Sequence, residues 1–421
     1  MSVEISTLPS GLRIVTDQMA HLETASLGVF VGAGARHEQP DQHGLSHLLE
    51  HMAFKGTRRR SARDIADEIE MTGGDLNAAT STEHTAYYAH LLAGDVPLAL
   101  DILADVLTES TFEPAELERE KSVILQEIRS VEDTPDELVF EMLNAAAFPD
   151  QPVGRPILGT AGHVAGFGRD DISAYVETHY RAGAIVIAAA GGVEHGSVCD
   201  EAARRFSGLR AANGEISAVP GHYKGGDKRM KRRLEQVHIA VGFEGLRYTH
   251  EDFYALQLFA NAVGGGMSSR LFQEVREARG LAYSISAFQW AYSDCGVFGF
   301  YAATGAKNSD ELMRVALDCL GKAAADLSDT EVRRAKAQMK VSLLAALENP
   351  AARCEQIARQ LIAFNRVLTR DEIVLAIDRL ETGQIRAAGA RVLASAPTVA
   401  AIGPVAKVFT PDRVRTRLQG I

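Results

Sequence analysis

Residues 44–57 read GLSHLLEHMAFKGT, and within them His47-Leu48-Leu49-Glu50-His51 put two imidazoles and a carboxylate on one arc of a short helix. His47 and His51 are one turn apart, so both ring nitrogens can reach a single zinc ion. Glu50 shares that arc and is free to act as a base towards a water. The order is HxxEH, the reverse of the commoner HExxH zincin motif, and it points to a metal-dependent hydrolase. Leu48, Leu49 and Phe54 alone would mark an ordinary buried helix face, so the reading needs a third ligand.

Residues 113–133, EPAELEREKSVILQEIRSVED, supply one. Leu117, Val123, Ile124, Ile128 and Val131 give an apolar helical face, with Pro114 in the first turn. Glu120 and Glu127 lie two turns apart on one side of this helix and can face a metal together. Taken alone, the helix reads as a core helix with a solvated acidic face.

His47, Glu50 and His51, followed by Glu127 after seventy-five intervening residues, resemble the signature of the inverzincin M16 peptidases. GLSHLLEHMAFKGT, LNAATSTEHTAYYAHLL and GGGMSSRLFQEVREARGLAYS are similar to the short-chain branch that contains the catalytic subunit of the mitochondrial processing peptidase, and the length of 421 residues suits that branch. The resemblance implies that His47, His51 and Glu127 bind one Zn²⁺ per chain, that Glu50 is the general base, and that Glu120 is an accessory carboxylate hydrogen-bonded behind a ligand. It implies that Asn77 and Ala78 lie on a substrate-binding edge strand beside the zinc. It also implies that Arg276 and Tyr283, from the C-terminal half, hold the substrate backbone, a guanidinium and a phenol being suitable donors to a carbonyl becoming an oxyanion. Two similar α+β domains, each a largely antiparallel sheet packed with helices, are expected. So is a homodimer, or a heterodimer with a related subunit, enclosing a chamber for extended or unfolded peptides.

The residues themselves give strands at 76–79 and 84–92 around a polar turn, after a Gly73-Gly74 helix stop. His84 and His90 lack metal spacing to a second donor and read as structural. Gly264-Gly265-Gly266 precedes a helix expected from Ser268 or Ser269, and no Gly-Lys-Ser/Thr follows to make a phosphate loop.

A chain of this length exceeds one core, so two domains are the natural expectation. We place them at 1–212 and 233–421. The linker, 213–232, is rich in glycine and charge and ends in a basic run that reads as a solvated tether. Strands 27–32 and 184–190 accompany helices in the first half, and strands 236–242, 282–290 and 296–302 accompany helices in the second, which reads as α+β repeated. The formal net charge of −11 argues against general nucleic-acid binding and suits a basic peptide. The four cysteines form no CxxC pair, so reduced thiols are expected. No stretch reads as a leader or a membrane span, and a cytoplasmic bacterial protein is the simplest expectation. Three other functions compete with an autonomous peptidase. They are a non-catalytic scaffold member of the family, a subunit active only with a degenerate partner, and a non-proteolytic zinc hydrolase.

Overall fold

The computed structural model describes residues 2–211 and 216–421. Strands β1 (Ser2–Thr7), β2 (Arg13–Gln18), β3 (Thr24–Val31), β4 (Asp75–Thr80), β5 (Thr85–Leu92) and β6 (Ile185–Gly191) form one sheet, in the order β1-β2-β6-β3-β5-β4. Strands β7 (Gly226–Lys231), β8 (Gln236–Glu244), β9 (Ile285–Ala291), β10 (Gly296–Gly305) and β11 (Thr398–Gly403) form the other, in the order β7-β11-β8-β10-β9. Apart from β1, which has no counterpart, the two sheets repeat one another strand for strand. In the first, β2 runs parallel to β6, and the β6-β3, β3-β5 and β5-β4 pairings are antiparallel. In the second, β7 runs parallel to β11, and the β11-β8, β8-β10 and β10-β9 pairings are antiparallel. The expected α+β class with two similar halves is what the structure shows.

The compact units are not continuous halves of the chain. One comprises residues 1–129, 155–219 and 344–367, and the other 130–154, 220–343 and 368–421. The division at 1–212 and 233–421 therefore needs correcting: the helix Pro135–Ala147 belongs with the second sheet and the helix Pro350–Phe364 with the first. Strand alternation explains why each sheet recruits a helix from the other half. In β6, Ile185, Ile187 and Ala189 join one core, while Val186, Ala188 and Ala190 pack against Cys354, Ile357, Ala358 and Leu361 of the helix Pro350–Phe364. In β11, Val399 and Ala401 face one core, and Ala400 and Ile402 meet Val139, Leu143 and Ala147 of the helix Pro135–Ala147. Each central strand is buried on both faces. Without the exchanged helix, one apolar face of each sheet would be left in water.

The basic run of the expected linker is also corrected. Gly226–Lys231, GDKRMK, is the edge strand β7, where charged side chains keep an exposed strand from pairing with another chain. Residues 213–215 of that linker lie outside the described residues. Among the described residues no helix is long and apolar enough to cross a membrane, and the four cysteines are free.

Candidate active site

The HxxEH helix spans Leu45–Ala53. Leu45, Leu48, Leu49, Met52 and Ala53 are buried in the first unit's core, which leaves His47, Glu50 and His51 half-buried on the opposite arc. Gly44 starts the helix with φ +98°, and a Cβ there would come within 2.7 Å of the Leu158 carbonyl oxygen, so this position requires glycine. The first turn is capped from a distance. The Glu38 carboxylate accepts from the Gly44 and Ser46 backbone N–H groups at 2.9 and 2.8 Å and from the Ser46 hydroxyl. Burial pushes the Glu38 carboxyl up to about 7, against the pull of these donors.

The acidic helix Pro114–Asp133 brings Glu127 to the histidines. Its Oε2 lies 3.7 Å from His47 Nε2 and 3.6 Å from His51 Nε2. Among the described residues, these three form the group of His, Cys, Asp and Glu side chains whose donor atoms converge closely enough to hold a metal. Donors about 2.0–2.1 Å from a tetrahedral zinc stand roughly 3.3–3.4 Å apart, so the observed separations suit that ion with little adjustment. Burial first, and the neighbouring His51 second, push the His47 imidazole down to about 4, which keeps it neutral as a ligand must be. Glu50 Oε2 is buried without a protein partner, as expected of a carboxylate that faces a water instead of a side chain.

Behind His51, Nδ1 meets Glu120 Oε2 at 2.9 Å, and Glu120 Oε1 pairs with Lys55 Nζ at 2.8 Å. Burial opposes the Glu120 charge, but Lys55 and His51 outweigh it and hold its carboxyl below the usual range. The carboxylate fixes His51 with its proton on Nδ1, leaving Nε2 to face Glu127.

Beside the site, β4 is the outermost strand of its sheet, and Thr80 Oγ1 donates to the Ser46 carbonyl at 3.4 Å, tying the strand to the HxxEH helix. Ala78 is buried and Asn77 exposed. Asn77 Oδ1 accepts from the Ala78 N–H at 2.8 Å, so that N–H points away from β5, towards the open edge.

The family description insulinase (peptidase family M16) matches residues 13–161, and peptidase M16 inactive domain matches residues 166–339. The chain belongs to the M16 peptidase family. It is 38% identical over 401 residues to an uncharacterized zinc protease of Rickettsia felis, covering 95% of this chain and 97% of the relative. It is 38% identical over 428 residues to a probable mitochondrial-processing peptidase subunit beta of Arabidopsis thaliana, covering 98% and 80%. The fold matches the crystal structure of a peptidase M16 inactive domain from Pseudomonas fluorescens with a TM-score of 0.89 at 20% identity, covering 96% of this chain and 98% of that one.

His47, His51 and Glu127 lie inside the first match, whereas Arg276 and Tyr283 lie inside the second, in the other unit. Those two residues are brought to each other. The Arg276 guanidinium stacks over the Tyr283 ring at 4.5 Å and the Phe272 ring at 4.7 Å, and Tyr283 is 79% exposed. The helix expected from Ser268 or Ser269 begins at Arg270 and is π-wound over Phe272–Glu277, a widened turn that is frequent at functional sites. His84 and His90 bond to Ser81 and Ser26, consistent with structural roles.

Sequence reasoning missed Lys55 and Glu38. Lys55 follows His51 by four residues, a spacing that could have placed it on the same helical side. Glu38 carries no motif, because it caps the helix from a preceding loop.

Proposed function

We propose that this chain is a zinc-dependent endopeptidase that cleaves extended or unfolded peptides. The observation that carries the reading is the convergence of His47 Nε2 and His51 Nε2 on Glu127 Oε2, with the unpartnered Glu50 carboxylate on the same helical arc. Zinc held by these three donors would supply a Lewis acid that acidifies a water and polarises a carbonyl. Glu50 takes the proton of the attacking water and returns it to the departing amine. Glu120 keeps the His51 tautomer fixed through the cycle. The open edge of β4, around Asn77 and Ala78, pairs with the main chain of the substrate, which gives affinity with little demand on its sequence. Arg276 and Tyr283 act as donors to the substrate backbone. The net charge of −11 favours basic peptides.

A second reading is activity only alongside a related partner subunit, and the naming of the Arabidopsis relative as a subunit favours it. Both readings make the working species a dimer, which sedimentation at working concentration tests. Cleavage of quenched basic peptides by the purified chain, abolished by a chelator and restored by zinc, is the expected result for an autonomous enzyme. A zinc-loaded but silent chain supports the subunit reading, and a chain that binds no zinc overturns both.

A further inference from the structure

The repeat extends from the sheets to the helices that build the metal site. In the first unit the site lies among the HxxEH helix, the edge strand β4 and the acidic helix. In the second, the helix Phe253–Gly264 packs on the edge strand β9, and the helix Asp329–Leu347 lies alongside. Gly264 allows the close approach, since a Cβ there would come within 2.4 Å of the Ala287 backbone nitrogen.

Residue spacing gives the correspondence. Leu258 and Phe259 are buried as Leu48 and Leu49 are, which sets Gln257, Ala260 and Asn261 at the spacing of His47, Glu50 and His51. Glu127 lies thirteen residues after Pro114, the first of its helix, and Ser342 lies thirteen after Asp329. Eight residues beyond each come Pro135 and Pro350, which open the two exchanged helices. The triad His47, His51, Glu127 thus corresponds to Gln257, Asn261, Ser342, with Ala260 in place of the base. The replacements are neutral groups, which make a poor zinc site.

These four positions line a pocket of about 270 Å³ in the second unit, together with Gln289 of β9 and Met339. The lining holds no ionisable side chain. It does hold buried amide atoms without a protein partner: Asn261 Oδ1 and both Oε1 and Nε2 of Gln289. Buried polar atoms are paired in the great majority of cases, with protein, ordered water or a ligand, so three at one pocket mark a place for such a partner. The need is for two donors, to Asn261 Oδ1 and Gln289 Oε1, and one acceptor, from Gln289 Nε2. A carboxamide carries two N–H donors and a carbonyl acceptor and meets all three. A carboxylate brings no donor, and an ammonium leaves Gln289 Nε2 unpaired.

We infer that the second unit carries a binding pocket for a neutral carboxamide group, built at the place in the repeat where the first unit holds its metal triad. The volume suits a side chain such as that of glutamine or asparagine, or a free small amide. The inference does not rest on peptidase activity.

Trp290, the chain's single tryptophan, neighbours Gln289 on β9 but faces the opposite side of the sheet, against Phe140 and Phe288, so binding is read by isothermal titration calorimetry. The full chain carrying Glu50→Gln, so that peptides stay intact, is titrated with Ala-Ala-Gln-Ala-Ala and Ala-Ala-Met-Ala-Ala, each blocked by acetyl and N-methylamide, and with acetamide. The glutamine peptide is expected to bind at least tenfold tighter than the methionine peptide, and Asn261→Leu or Gln289→Leu to reduce that preference to less than twofold. Tighter binding of the peptide than of acetamide assigns the pocket to a side chain, and equal binding assigns it to a free amide. Should the leucine variants fail to fold, Asn261→Asp and Gln289→Glu keep the shape, remove neutrality and are expected to lose the preference equally. Equal affinity for the two peptides, or a preference that survives substitution at both residues, overturns the inference.

Discussion

Glu120 Oε2 lies 2.9 Å from His51 Nδ1 while its other oxygen holds Lys55, so one carboxylate joins the last turn of the HxxEH helix, and the residue just past its end, to the acidic helix. The pairing orients a ligand without occupying the metal position. Glu120→Gln should therefore weaken zinc binding by about 10–100-fold, the range for loss of such a partner. Lys55→Met should have a smaller effect, because the His51 contact remains. Competition with a chromophoric chelator measures both, and unchanged affinity in Glu120→Gln would contradict the role.

Asp17 and Arg353 form a buried ion pair at 2.6 Å, with side-chain exposures of 0% and 4%, and it fastens the exchanged helix Pro350–Phe364 to the first sheet. Removing either partner leaves a buried charge unpaired, so Arg353→Met should cost about 3–5 kcal/mol in thermal or urea unfolding. Adding Asp17→Leu to that variant should recover most of the loss. A single variant as stable as the parent would show that the helix is held by its apolar contacts alone.

Glu38 gives a pH signature. Its carboxyl is raised from 4.5 to about 7, so the native state holds the proton more tightly than the unfolded chain. The contribution to stability is complete below about pH 4.5 and is lost as pH rises through about 7, on the order of 3 kcal/mol over that interval. Melting temperatures of the chelator-treated chain across pH 5–8 should show the decline, and Glu38→Gln should flatten it. A variant with the parent's slope would assign the dependence to another group.

The Arg276 and Tyr283 stack predicts a split between kinetic constants. Arg276→Lys keeps the charge but loses the planar stack and fork, so kcat should fall by about 10-fold or more with KM little changed. Steady-state kinetics on one quenched peptide decides this. A change confined to KM would make the residue a binding contact that does not act on the transition state.

Much of the site was legible because its parts follow helical periodicity. His47, Glu50 and His51 declare a shared arc by spacing, and Leu117, Ile124, Ile128 and Val131 show which side of the acidic helix faces in, although Val123, read with them, is 40% exposed because it sits about a third of a turn off that stripe. Strands β3, β5, β8 and β10 were legible from their apolar runs. What escaped depends on tertiary partners. The charge of GDKRMK reads as solvent-exposed, and it is, but as an edge strand completed by β11. The helices Pro135–Ala147 and Pro350–Phe364 look like any amphipathic helix, and nothing local says that each crosses to the other sheet. The repeat is hidden because His47, His51 and Glu127 correspond to side chains of different chemistry, Gln257, Asn261 and Ser342; strand order and helix register carry it.

The most direct measurement is turnover of a quenched basic peptide by Glu50→Gln, with bound zinc determined on the same sample. The account predicts full zinc occupancy, retained peptide binding and a loss of kcat of at least 10³-fold, because the base is removed and the ligands are untouched. Near-normal turnover at full zinc occupancy would contradict the assignment of Glu50 and with it the proposed chemistry.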